Sequence, residues 1–267
     1  MSERVTLAID GHVAIVTLNR PDKKNAVDAG MFEALTRAGE RIAANIAVRA
    51  VVLHGAGGNF CAGIDIAAFQ GSDTGVASLE RMRPQAQSPA NFYQRAAYVW
   101  QELPVPVIAA IEGYCFGAGL QIAAGADIRH AHADARLSIM EIKWGLVPDM
   151  AISVTLRDVM PVDRVRELAY TGRIVSGLEA QQLGMVTAVE DKPFESACEL
   201  AAEIAAKSPH AIRAIKQLTS KAWWQSAAEA LETEARLQSG LMGSYNQQEA
   251  VNANLGGRKA AYRDPDT

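Results

Sequence analysis

Four carboxylates in this chain stand beside apolar rather than charged neighbours: Glu112, Asp127, Glu141 and Asp149. A carboxylate in such surroundings resists ionising, and a raised pKa suits it to proton transfer near neutral pH. The competing reading is a carboxylate that caps a helix or pairs with an arginine, and for Asp127, close to Arg129, that reading is preferred. A second chemical resource is backbone. Two glycine-rich stretches, Gly55-Ala56-Gly57-Gly58 and Gly113-Tyr114-Cys115-Phe116-Gly117-Ala118-Gly119, each follow a short apolar run. N–H groups at such turns can converge on an anion, either a phosphate or an oxyanion that forms during a reaction. The phosphate patterns do not fit: no GxxxxGKS or GxxxxGKT occurs, and Gly117-Ala118-Gly119 lacks the third glycine of a dinucleotide fingerprint. Taken singly, each turn reads first as a packing device.

Other reactive types are poorly placed. His130 and His132 alternate, but no third ligand stands at matching spacing, so no metal site is expected. Cys61, Cys115 and Cys198 form no CxxC pair and read as small core residues in a reducing compartment. No GxSxG elbow is present. Trp223-Trp224, near Leu218 and Leu231, reads as helix packing rather than a base-stacking platform.

The elements that must position these groups follow from hydrophobic period. Val5, Leu7 and Ile9 alternate, Asp10-Gly11 turns, and Val13 to Leu18 continues, which predicts a hairpin ended by Pro21. Asp28 is placed to cap a helix carrying Met31, Leu35, Ala38, Ile42 and Ile46. Ala50–His54 and Val107–Ile111 read as buried strands that enter the two glycine turns, so strand, turn and helix recur in the manner of a largely parallel sheet. Gln70–Ala97 reads as a mobile insertion able to cover a site. After Pro193 the chain becomes helical, which divides it into an α/β body, residues 1–192, and a helical oligomerisation region, residues 193–267.

Net charge excludes little but points away from nucleic acid: 26 Lys and Arg stand against 30 Asp and Glu. The most apolar stretch, Leu103 to Ala126, is broken by Pro104, Pro106 and Glu112, so no membrane span is expected and a cytoplasmic protein is.

Together the two turns become specific. Asn59-Phe60-Cys61-Ala62-Gly63-Ile64-Asp65-Ile66 and Gly113–Gln121, followed by Ala126-Asp127-Ile128-Arg129, resemble the two oxyanion-hole segments of the crotonase (enoyl-CoA hydratase/isomerase) superfamily. Asn19-Arg20-Pro21, Lys24-Asn25-Ala26, Glu141, Gly145-Leu146-Val147-Pro148, Thr171-Gly172-Arg173-Ile174, Glu179-Ala180 and Leu183-Gly184-Met185-Val186 are similar to further family segments in the same order. The resemblance implies a spiral of ββα units with a C-terminal helical trimerisation region, assembled as a homotrimer or homohexamer. It implies a coenzyme A thioester as substrate, with no separate metal or redox cofactor. Its carbonyl oxygen would sit between the N–H groups of Ile64 and Ala118, with Ala62, Gly63, Asp65, Phe69, Gly117 and Trp144 around the substrate. Arg258 would reach the nucleotide from a neighbouring subunit.

The departure lies in the acids. Family hydratases carry two glutamates; here the second is Glu141 and the first position is Gln121, an amide that cannot exchange protons but could hold water or orient the thioester. Asp149 matches a position that is aspartate in the dienoyl-CoA isomerase branch. The expectation is double-bond isomerisation slightly ahead of hydration, with Glu141 as base and Asp149 as helper. A non-catalytic acyl-CoA-binding protein, thioester hydrolysis and C–C cleavage stay open, because a fold hosts many reactions.

Overall fold

The computed structural model describes residues 3–66, 80–85 and 88–265. The chain opens with the expected hairpin, β1 (Val5–Asp10) paired antiparallel with β2 (Val13–Leu18). The Asp28 carboxylate accepts the Met31 N–H at 2.9 Å and starts α1 (Ala29–Ala43), which buries Met31, Phe32, Leu35 and Ile42 at helical spacing. β3 (Ala50–Gly55) follows, then α2 (Phe92–Glu102), closed at its start by the reciprocal Asn91–Gln94 box. Next come β4 (Val107–Ile111), β5 (Tyr114–Phe116), α3 (Ala118–Ala124), β6 (Ile128–Ala131) and β7 (Arg136–Ser138). They are followed by α4 (Ile152–Thr155), α5 (Val162–Thr171), β8 (Val175–Ser176), α6 (Gly177–Gln182) and β9 (Ala188–Val189). Four helices end the chain: α7 (Pro193–Ala205), α8 (Pro209–Lys221), α9 (Ala227–Leu241) and α10 (Tyr245–Leu255).

Two sheets result. The larger runs β1-β2-β3-β4-β6-β9, parallel at every pairing after the hairpin, and the smaller runs β5-β7-β8. The chain alternates between them: β4 in the large sheet leads to β5 in the small one, and β6 leads to β7. This is the expected spiral.

The large sheet is buried on both faces, as a parallel sheet must be. Val16, Val51, Leu53 and Ala109 face the main core with α1 to α3, whereas Val52, Ile108 and Ala110 face α7. That helix presents Ala197, Ala201 and Ala205 to the strands, small side chains four residues apart that allow close approach. The compositional break at Pro193 is therefore a change of secondary structure, and α7 packs as part of the α/β body. No described helix is long and apolar enough to cross a membrane.

Two readings of single residues change. Asp127 pairs not with Arg129 but with Lys216 from α8, at 2.8 Å, and also accepts the Val107 N–H. Lys216 is buried and donates in addition to the carbonyls of Trp100 and Val105; burial lowers its pKa and Asp127 opposes that. Arg129 instead donates to the carbonyls of Ala126 and Met185. Trp223 and Trp224 do not fill a helix interface within the chain: they are 72% and 48% exposed, and the Arg157 guanidinium lies 3.8 Å over the Trp224 ring.

Removing the carboxylate partner strands a buried ammonium, a loss that costs several kcal/mol when both partners are buried and less here because Asp127 is part-exposed. Asp127→Ala is expected to lower unfolding free energy by about 2–3 kcal/mol in urea titration, and adding Lys216→Met to it is expected to recover part of that loss.

Candidate active site

The backbone makes the first half of the site. Val27 forms a parallel bridge with Ile64: the Val27 N–H donates to Gly63 O at 2.8 Å and the Asp65 N–H donates to Val27 O at 2.9 Å. Bridging through residues 63 and 65 turns the Ile64 N–H the other way, into the cleft. On the facing segment Ala118 is the first residue of α3, where an N–H has no acceptor within the helix. Among the described residues neither N–H has a partner. Gly63 (φ +96°) and Gly117 (φ +49°) give the backbone conformations that aim them, and a Cβ on Gly117 would lie 3.3 Å from Glu141 Oε1.

Asn25 fixes the first segment. Fully buried, its Oδ1 accepts the Arg20 N–H at 2.8 Å and its Nδ2 donates to Ala56 O and Asn59 O at 2.9 and 2.7 Å. Arg20 in turn bonds the carbonyl of Ala26 and pairs with Asp65 at 2.7 Å. The second segment is fixed through the small sheet: Phe116 pairs with Ser138, and the Gly117 N–H donates to Ser138 O at 2.9 Å. That register carries the turn Glu141–Trp144, just after β7, to the mouth of the Ala118 turn.

Glu141 stands in this cleft of about 670 Å³ together with Ala62, Gly63, Ile64, Asp65, Gly117, Ala118 and Trp144, all expected from sequence. Its Oε1 accepts from Gln121 Nε2 at 2.6 Å, while Oε2 is buried with no partner among the described residues. Burial raises the Glu141 carboxyl above its ordinary value; hydrogen bonds from its own backbone and from Gln121 oppose this, and the charge of Asp149 adds to it. Asp149 keeps an exposed face, yet the protein packed around the rest of it raises its carboxyl too. The Asp149 charge also acts on Tyr93, whose hydroxyl is hydrogen-bonded to Arg81, a neighbourhood that sequence spacing did not reveal.

Three expected residues, Asp149, Gln121 and Arg258, are not among those that line this cleft. Gln121 is 1% exposed and lies behind Glu141 rather than along the cleft: its Oε1 accepts the Met150 N–H at 2.7 Å, so it neither holds water in the cleft nor touches a thioester. Arg258 is on the outer surface, bidentate on Glu249 at 2.6 and 2.8 Å, and outside the cleft of its own chain. Phe69 and much of the Gln70–Ala97 insertion lie outside the described residues. Cleft residues that the sequence did not assign to the site include Lys23, Lys143, Leu146 and Ile174; Lys23 is one residue from the resemblance segment Lys24-Asn25-Ala26, and Leu146 and Ile174 stand within the segments Gly145–Pro148 and Thr171–Ile174. Among the described residues no three His, Cys, Asp or Glu side chains are grouped to hold a metal.

The family model for enoyl-CoA hydratase/isomerase matches residues 8–265. With both oxyanion segments and the retained glutamate in place, the chain belongs to that family. It is 34% identical over 207 residues to enoyl-CoA hydratase EchA19 of Mycobacterium tuberculosis, spanning 77% of this chain and 76% of that protein. It is 31% identical over 264 residues to the peroxisomal Delta(3,5)-Delta(2,4)-dienoyl-CoA isomerase of Arabidopsis thaliana, spanning 95% and 93%. Among solved structures, an enoyl-CoA hydratase from Polaromonas sp. JS666 superposes with a TM-score of 0.85 at 27% identity, covering 97% of this chain and 99% of that one.

Asn25 also carries φ +57°, which asparagine tolerates better than alanine. Asn25→Ala leaves three part-buried backbone groups without their side-chain partner and is expected to cost about 2–4 kcal/mol of stability. Hydrogen exchange across residues 59–65 is expected to rise in the same variant, with little change around Asp127.

Proposed function

We propose that the protein isomerises the double bond of an enoyl-coenzyme A thioester. The observation that carries this reading is that the Ile64 and Ala118 N–H groups, without an acceptor among the described residues, belong to one cleft that Glu141 also lines. In a 3-enoyl thioester the Glu141 carboxylate takes the α-proton. The C–H electron pair becomes the α-carbon–carbonyl double bond, and the thioester oxygen takes up the charge between the two N–H groups. Each such donor supplies roughly 3–4 kcal/mol where one has been removed in comparable holes. The dienolate then takes a proton at the γ-carbon from Glu141, its electrons returning to make the 2-enoyl product and restoring the base. Asp149 is a second proton carrier for positions farther along the chain. Trp144, Leu146 and Ile174 give the acyl part an apolar wall.

Isomerisation is favoured over hydration by Gln121. Adding water across the 2,3-bond in the manner of family hydratases uses two acids, and here the first position is an amide with both ends already bonded. This reading requires no metal or redox group. The exposed Trp223, Leu231, Met242 and Leu255 fit coverage by further copies of the chain, a homotrimer or homohexamer, in which Arg258 of one copy serves the nucleotide bound to another. Light scattering at micromolar concentration is expected to show no stable 28.6 kDa monomer.

Incubation with 2-enoyl-, 3-enoyl- and dienoyl-CoA, followed by mass spectrometry with chromatographic separation of isomers, tests the reaction. Isomers of unchanged mass are expected; products heavier by one water as the main outcome would assign hydration, and no turnover would favour a binding protein. Glu141→Gln keeps shape but deletes proton transfer, and is expected to lower turnover by about 10²–10⁴-fold with thioester affinity retained. Because the base works only when ionised, kcat/KM falls as pH drops through the Glu141 value, and burial places that limb above the ordinary 4.5.

A further inference from the structure

We propose that Gln121 is a positioning residue for the base, holding the Glu141 carboxylate in one rotamer and in its ionised form. A backbone N–H can only donate, so the Met150 N–H at 2.7 Å obliges Gln121 to turn its carbonyl oxygen that way. The amide then has its NH₂ facing Glu141 Oε1 at 2.6 Å, where it can only donate. The side chain is 1% exposed, so bulk solvent hardly competes for these bonds. A protonated Oε1 would set donor against donor, so a proton can go only to Oε2, and the Oε1 bond, charge-assisted while the carboxylate is ionised, weakens to a neutral one once Oε2 is protonated. One oxygen of Glu141 is thus committed to Gln121, and the other, Oε2, is left to exchange the proton with substrate.

The lock also fixes geometry. Gln121 is on α3, three residues after Ala118, and Met150 leads into α4. One amide therefore ties the helix that carries an oxyanion N–H to the turn that carries the base and to the loop that carries Asp149. Among the described residues the charged groups around Glu141 are few. Lys143 shares its turn, Asp149 lies beside it, Lys23 and Asp65 stand across the cleft, and Arg173, on the strand side of α5, is engaged by Glu167 and Glu179. Of these Asp149 acts on the Glu141 carboxyl and opposes its ionisation, and the Gln121 hydrogen bond works against that.

The inference rests on Glu141 being the base, and two variants separate the claims. Gln121→Leu removes the donor and Gln121→Glu, which keeps the volume and an acceptor for the Met150 N–H, replaces it with a like charge. In both, the acid limb of kcat on 3-enoyl-CoA is expected to move up by about one to two pH units, the worth of a hydrogen bond to a charged group. KM is expected to stay within twofold, since Gln121 does not line the cleft, and turnover is expected to recover at high pH. A merely structural role would lower kcat at every pH without moving the limb. Should Gln121→Leu fail to fold, shown by its thermal melt, Gln121→Glu decides the matter alone. An unmoved limb in a folded Gln121→Glu protein overturns the role of Gln121. Full turnover in Glu141→Gln overturns the base itself.

Discussion

Two N–H groups, of Ile64 and Ala118, have no acceptor among the described residues and must keep none. Leaving a donor unpaired away from water costs roughly 1–3 kcal/mol, so a free chain would bend to satisfy both. Much of this structure can be understood as what prevents that. Val27 takes the bonds on either side of Ile64, which leaves the Ile64 N–H no neighbour within reach, and Asn25 clamps the loop on which Val27 rides. Ala118 opens a helix, where the donor is orphaned by geometry, and Ser138 holds the residue before it. The parallel sheet, buried on both faces, is the rigid support for both loops.

The carboxylates follow a different logic. Glu141 and Asp149 are both raised first by burial, the charge of Asp149 adds to the shift of Glu141, and Glu141 has the side-chain amide of Gln121 as a neutral donor beside it. Replacing a family glutamate by glutamine thus changes more than one titrating group. It converts a pair of acids into one acid and a fixed dipole.

What was legible in sequence was local or strongly patterned. The Val5–Leu18 hairpin, the Asp28 cap, the strands at Ala50 and Val107 and the four terminal helices all carry their signals within a few residues. The site was legible because backbone N–H groups are set by glycine turns, whose residues stand together in the chain. What escaped was long-range pairing. Nothing near Asp127 announces Lys216, 89 residues away, whereas Arg129 is close in sequence and points elsewhere. The way Gln121 faces depends on a donor 29 residues on, at Met150. Trp223 and Trp224 misled because large rings usually fill interiors, and here the chain alone leaves Trp223 mostly exposed and covers Trp224 only in part.

Cys61 and Cys115 give the site a property unrelated to its chemistry. They are bridge partners in the second layer, each three residues ahead of an oxyanion donor, and both are wholly buried. Burial pushes the Cys61 thiol up to about 12 and Cys115 well above its ordinary value, so neither offers a thiolate to a reagent while the structure is closed. Cys198, on α7, is half-buried and has more surface to offer. Alkylation of the native protein should accordingly split into one early event and two late ones. The late pair form a clock, since each modification records a moment when the strands beneath the oxyanion donors came apart.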